Sequence, residues 1–175
     1  KLLALDTSTE LCSAALWLDG VVTADGVAAG QRHSELLLPM IDDLLRRSGA
    51  TLADLDAIAF GEGPGSFTGL RIACGVAQGL AFGADKPVVG IGTLLALAQA
   101  SGAEAAACCL DARMQEVYFA AYRRAGDEWE TVHPPGLYAP AALPQLPDGP
   151  WIGCGNGYAV HAQALASWRA AQVRS

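Results

Sequence analysis

Basic residues, paired cysteines and long apolar runs are all scarce in this 175-residue chain, and each scarcity removes a class of function. Eleven Lys and Arg stand against 18 Asp and Glu, and the net charge is −7. Neutralising phosphates needs clustered cations, so the chain is not read as a freestanding nucleic-acid binder, and RNA contact would need another chain. The five cysteines (Cys12, Cys74, Cys108, Cys109, Cys154) are odd in number, apolar in surroundings and without C-x-x-C spacing. They are expected as buried small hydrophobes in a reducing compartment, forming neither a disulfide framework nor a zinc site. Although 52% of residues are hydrophobic, no run approaches the ~20 residues that span a membrane. No basic region leads into an apolar segment at the start, so the expectation is an unexported, cytoplasmic protein of one domain or two small ones.

What is present reads as alternating strands and helices. Leu2–Leu5 is a short apolar strand ending in Asp6-Thr7-Ser8-Thr9; Leu11–Leu18 is a second, and Asp19-Gly20 turns the chain into a third over Val21–Thr23. From Ser34, expected as an N-cap, Leu37, Ile41, Leu44 and Leu45 keep helical spacing until Gly49. Pro39 either kinks this helix or marks its start. Ala57–Phe60 reads as a buried strand, Gly61–Gly65 as a loop and Ser66 as the cap of a helix; Pro87–Ile91 and Thr93–Ala100 add a strand and a helix. Ala105–Leu110 then repeats the first strand, ending in Asp111, and Glu116–Tyr122 returns. A strand, an acidic turn and a returning strand thus occur twice, about 105 residues apart, which hints at a duplicated fold. Six prolines between His133 and Pro150 predict an extended loop with at most one short helix. Trp151–Gly157 predicts a strand entering a turn, and Tyr158–Ala170 a helix.

The stretch GEGPGSFTGLRIACGVAQGLAFG, Gly61–Gly83, is the richest in glycine. It lacks the Lys of a Walker phosphate loop, its third position for a dinucleotide fingerprint falls on Ser66, and Ser66 is not in a G-x-S-x-G elbow. What fits is packing. Gly75, Gly79 and Gly83 lie along one side of a helix, where each costs roughly 1 kcal/mol relative to Ala, so close approach by another element must compensate. That element belongs either to this chain or to a second protein. The Gly61–Gly65 loop could also present N–H groups to an anion at the helix start.

Four blocks in order, LLALDTSTELCSAALWLDG, RHSELLLPMIDDLL, the glycine-rich block and LDARMQEVYFAAY, resemble the bacterial TsaB family, also called YeaZ, of tRNA threonylcarbamoyladenosine (t6A) biosynthesis proteins. The likeness covers most of Leu2–Tyr122 and is thinner beyond Pro135, where WIGCGNGY resembles a later strand and glycine turn. The family continues to a final helix and short segment not found here, so the chain is expected to be incomplete at its C-terminus.

The resemblance implies an α/β fold of the actin, sugar-kinase and Hsp70 (ASKHA) group: two lobes, 1–102 and 103–175, each a mixed sheet with flanking helices. It implies no catalytic residue and no metal ligand of this chain's own. The superfamily's phosphate and adenosine turns fall on Asp6, Thr7 and Ser8, on Asp111 and Arg113, and on Gly153 and Gly155, as a degenerate nucleotide site. Amides would hold phosphate there and Asp6 and Asp111 a Mg²⁺ shell, although aspartates at strand ends also close their own turns. The catalytic relative TsaD holds metal with paired histidines, whereas His33, His133 and His161 have no partner at that spacing. The family binds TsaD through the helices at 34–48 and 66–83, forms homodimers through the same face, and is joined by the ATPase TsaE. That implies a partner surface at Leu37, Ile41, Leu44, Leu45, Ala73, Gly75 and Gly79. tRNA would be met only through the complex, and ATP or ADP with Mg²⁺ only at its interface. The competing readings are an ATP-dependent phosphotransferase and, from an older family label, a peptidase acting on TsaD, for which no Ser, His and Asp spacing exists.

Overall fold

β1 (Leu2–Asp6), β2 (Leu11–Leu18) and β3 (Val21–Ala28) form an antiparallel meander at the start of the computed structural model, which describes residues 1–173. Contacts within the chain divide it into two units, Lys1–Gly92 and Thr93–Ser175. The division falls ten residues before the expected lobe boundary, because the helix after Gly92 packs on the second sheet.

In the first unit the meander is followed by α1 (His33–Ser48), β4 (Ala57–Gly63), α2 (Phe67–Ala84) and β5 (Val88–Gly92). β4 lies parallel to β1 and β5 parallel to β4, so the sheet runs β3-β2-β1-β4-β5. Side chains alternate across a strand. Leu3 and Leu5, Cys12, Ala14 and Leu16, and Ile58 therefore share the face on which Leu37, Ile41 and Leu44 of α1 and Ala73, Ala77 and Ala81 of α2 bury themselves. Helix α1 begins one residue before the expected cap, at His33, whose buried Nε2 donates to the Thr9 carbonyl at 3.0 Å. Pro39 sits inside it, and Gly49 ends it in the left-handed region at φ 65°. The strand expected over Ala57–Phe60 runs on through Gly63, which takes the first three residues of the expected Gly61–Gly65 loop into the sheet.

The second unit opens with α3 (Thr93–Ser101) and continues as β6 (Ala105–Arg113), β7 (Glu116–Ala125), β8 (Glu128–Tyr138), β9 (Ile152–Cys154), α4 (Gly157–Val160) and α5 (Ala162–Gln172). Its sheet runs β8-β7-β6-β9, with only β6 and β9 parallel. Ala105–Leu110 is buried without a break because both faces of β6 are covered. Ala105, Ala107 and Cys109 pack with Trp151, Tyr158 and Leu165, while Ala106, Cys108 and Leu110 pack with Leu94 and Ala98 of α3. Strand orders β3-β2-β1-β4 and β8-β7-β6-β9 have the same connectivity and polarity, which is the duplication that the repeated strand-turn-strand pattern suggests.

β8 corrects the sequence reading. Pro134 and Pro135 lie in a strand rather than in a loop. β8 is the outer strand of its sheet, and its register slips where Ala121 pairs with His133 but Phe119 with Gly136. A bulge on an edge strand leaves both prolines where no ladder N–H is needed. Beyond Tyr138 only a short 3₁₀ turn, Pro140–Ala142, breaks the extended path to Trp151. No helix among the described residues is long and apolar enough to cross a membrane.

Candidate functional site

The glycine-rich block contains two sets of glycines with opposite surroundings. Gly61, Gly65 and Gly69 lie against the turn that closes β1. A Cβ on Gly61 would come within 1.9 Å of Asp6 Oδ2, one on Gly65 within 2.4 Å of the Ser8 carbonyl, and one on Gly69 within 1.8 Å of the Thr7 carbonyl. The last two clashes are with backbone, which no rotamer relieves. The close approach is cemented by the Ser66 amide, which donates to the Ser8 carbonyl at 2.7 Å, and by Thr7 Oγ1, fully buried, which donates to the Gly69 carbonyl at 2.7 Å. Asp6 turns back on its own strand end: Oδ1 accepts from the Ser8 amide at 2.8 Å and from Ser8 Oγ at 2.6 Å. Ser66 caps α2, its Oγ accepting from the Gly69 amide at 3.3 Å.

The equivalent turn in the second lobe has the same character. Asp111 Oδ1 accepts from the Arg113 amide at 3.3 Å and pairs with His161 Nε2 at 2.8 Å, while the Asp111 amide donates to Asn156 Oδ1 at 3.0 Å. Arg113, Met114 and Gln115 all take positive φ, so the hairpin tip is strained. Gly155 and Gly157 press on the end of β6, where Cβ atoms would fall 2.1 Å from the Cys109 carbonyl and 2.6 Å from its sulfur. Gly153 lies beside Tyr158 and Val173 instead. Fold closure thus brings Asp111 together with Gly155, Asn156 and His161. Sequence reasoning missed the last two, which lie about 50 residues away with no local periodicity to tie them to Asp111.

These geometries weigh on the nucleotide reading. Amides that would cradle a phosphate, those of Ser8, Asp111 and Arg113, each donate within the chain, and both aspartates accept from their own turns. The turns do not fit a phosphate and a Mg²⁺ hydration shell without first giving up these bonds. His33 and His133 each hydrogen-bond a carbonyl, and no group of three His, Cys, Asp or Glu among the described residues could hold a metal.

The third region is the outer side of α1 and α2. The structure turns four of the seven residues expected there the other way: Leu37, Ile41, Leu44 and Ala73 are buried in the lobe's own core, and half-buried Leu45 packs against it. The reason is register. Gly69, Ala73, Ala77 and Ala81, each four residues apart, form the side of α2 that lies on the sheet, where only small residues fit. Gly75, Gly79 and Gly83 consequently look outward, with nothing besides the adjoining helix within 4 Å of a Cβ built on any of them. Beside them Phe82 is 93% exposed, Phe67 is 72% exposed under the Arg71 guanidinium at 3.3 Å, and Leu38 of α1 is 48% exposed. The alanine repeat was the available signal: it marks the inner side and so assigns the glycines and Phe82 to the outer one.

A family model described as TsaD, tRNA N6-adenosine threonylcarbamoyltransferase, matches residues 23–164. The tRNA threonylcarbamoyladenosine biosynthesis protein TsaB of Escherichia coli K12 is 44% identical over 168 residues, covering 90% of this chain and 72% of that protein. TsaB of Haemophilus influenzae is 45% identical over 175 residues, covering 93% and 74%. Among solved structures, YeaZ from Pseudomonas aeruginosa superposes with a TM-score of 0.88 at 38% identity, covering 97% of this chain and 92% of that one.

Proposed function

The chain belongs to the TsaB family of tRNA threonylcarbamoyladenosine biosynthesis proteins, and from that premise we propose that it is a non-catalytic subunit of the cytoplasmic complex that makes this modification. Its task is to bind TsaD, with TsaE joining the assembly, and its docking surface is the outer side of α1 and α2. The observation that carries this reading is the row Gly75, Gly79 and Gly83, open along its whole length and bordered by exposed Phe82 and Phe67. Three glycines weaken a helix by roughly 1 kcal/mol each. An isolated lobe gains nothing for that cost, whereas a partner helix lying in the groove they leave gains close contact and apolar burial. Homodimers formed through the same face would compete with TsaD.

A scaffold role is supported further by the two strand-end turns, whose amides and carboxylates are satisfied by the chain itself. No step of catalysis is assigned to them, and on this reading ATP or ADP with Mg²⁺ would bind only at the interface of the complex. tRNA contact through the complex agrees with a net charge of −7.

The test is light scattering on a sizing column, with the protein alone and then with its cognate TsaD, with and without Mg-ATP. Ile41→Glu, natural from sequence alone, would place a charge in the core and unfold the lobe, since Ile41 is 2% exposed. Gly75→Arg and Gly79→Arg point into open space instead. Both variants are expected to keep the wild-type melting profile and to weaken the complex at least about tenfold, or 1.4 kcal/mol. Wild-type affinity in both would move the partner surface elsewhere. Mg-ATP turnover by the chain alone, abolished by Asp6→Ala, would favour the phosphotransferase reading.

A further inference from the structure

β9 is only three residues long, and its last residue is a cysteine set opposite another. In the parallel β6–β9 pair Cys108 is in register with Cys154, which directs both side chains to one face of the sheet. Their sulfurs lie 3.4 Å apart. Adjacent strands run about 4.8 Å apart, within the Cα separations that disulfides span, so an S–S bond of about 2.05 Å needs only a small side-chain adjustment. The adjustment is one of side-chain rotation, since Gly153 and Gly155 on either side of Cys154 pack closely on Tyr158 and on the Cys109 carbonyl.

The two thiols are unequal. Cys108 is fully buried beside Leu94, Ala98 and Tyr122, whereas Cys154 is half-buried. Either sulfur can donate in the hydrogen bond they share; with Cys108 donating, that bond lowers the Cys154 pKa and, with burial, pushes Cys108 far above the usual thiol range. Cys154 is therefore the thiol that ionises first and meets solvent. Cys109, on the opposite face of β6, is pushed up to about 12 by burial, and Cys12 is raised for the same reason.

We propose that Cys108 and Cys154 form a reversible disulfide when the protein meets a hydroperoxide, a redox clasp tying β9 and the Asn156 turn after it to the central strand β6. The Cys154 thiolate attacks the terminal peroxide oxygen; the O–O bond breaks, leaving a sulfenic acid and an alkoxide, or hydroxide from hydrogen peroxide, that takes a proton to become an alcohol or water. The Cys108 sulfur, losing its proton, then attacks the Cys154 sulfur; the S–O bond breaks and water leaves. The two thiols together give up two electrons and the peroxide takes them. A thiol reductant restores the pair by exchange. Because Asn156 Oδ1 holds the Asp111 amide, the clasp stiffens the link between the glycine turn and the end of β6.

Hydrogen peroxide treatment of the full chain, followed by intact mass measurement and peptide mapping, tests this. The expected result is a loss of about 2 Da, the two thiol hydrogens, mapped to Cys108–Cys154 and reversed by dithiothreitol. The melting midpoint should rise by several degrees on oxidation of the wild type and stay unchanged in Cys154→Ala. Dimedone should trap a sulfenic acid at Cys154 in Cys108→Ala and none at Cys108 in Cys154→Ala. A bond to Cys109 or Cys74, oxygen addition at Cys154 without the mass loss, no mass change, or a mapped bond that leaves the midpoint unmoved would each overturn the proposal. The wild-type map decides the matter even if a variant misfolds.

Discussion

Gly69 and Gly75 are six residues apart on one helix, yet adding a single methyl group to each has opposite consequences. At Gly69 the new carbon would lie 1.8 Å from the Thr7 carbonyl, so α2 or the β1 turn must move and the buried Thr7 bond to the Gly69 carbonyl is lost with it. At Gly75 the methyl meets nothing. Gly69→Ala is expected to lower stability by more than about 3 kcal/mol, or to leave little folded protein. Gly75→Ala should raise the stability of the isolated chain by up to about 1 kcal/mol, through helix propensity alone. Urea denaturation of both variants checks the pair, and equal effects would mean that the two glycines share one environment. The same contrast explains why glycine in this sequence serves two ends: fold closure in the first half of the block, an open face in the second.

At the scale of elements, α2 is held at its start by one side-chain cap and at its end by Asp85 in the left-handed region. Ser66→Ala is expected to cost about 1 kcal/mol in urea denaturation, and no change would mean that water serves the Gly69 amide equally well. Most elements were legible because their signals are local: Asp19-Gly20 for the β2–β3 hairpin, Gly49 and Ser66 for helix ends, and unbroken apolar letters for β6. β8 was illegible for the opposite reason. Proline is a breaker only where the ladder requires an N–H, and whether a strand lies at an edge, with a bulge to absorb Pro134 and Pro135, depends on the whole sheet. The inner side of α1 was legible as apolar spacing; which apolar residues the lobe leaves exposed was not, since buried and exposed positions use the same letters.

For the whole molecule, acid stability follows from carboxylates that the fold holds ionised. Hydrogen bonds from the Arg46 guanidinium, joined by Arg47, keep Asp43 below its ordinary value of 3.8, and the Thr51 hydroxyl and amide do the same for Asp54. A carboxyl depressed on folding contributes stability that is fully present above the unfolded value and is lost as pH falls through the lowered folded one. Stability from these two groups should therefore be flat from neutral pH to about 4 and decline below it. An Asp43→Asn, Asp54→Asn double variant should be less stable than wild type at pH 7 and approach it in strong acid; urea midpoints across that range measure the difference. A gap that stays constant with pH would show that neither carboxyl titrates differently in the two states.

The sequence alone determined the α/β class, the duplicated strand-turn-strand plan, nearly all element positions and, through its motif blocks, the family. These are local or periodic properties, written into propensities and spacing. Tertiary structure alone decided that Asp111 meets His161 and Asn156, that Cys108 stands across from Cys154, and that Gly61, Gly65 and Gly69 press on the β1 turn while Gly75, Gly79 and Gly83 stay open. Such contacts join residues tens of positions apart, and they exist only once strand order and helix register have been set by the burial of the core.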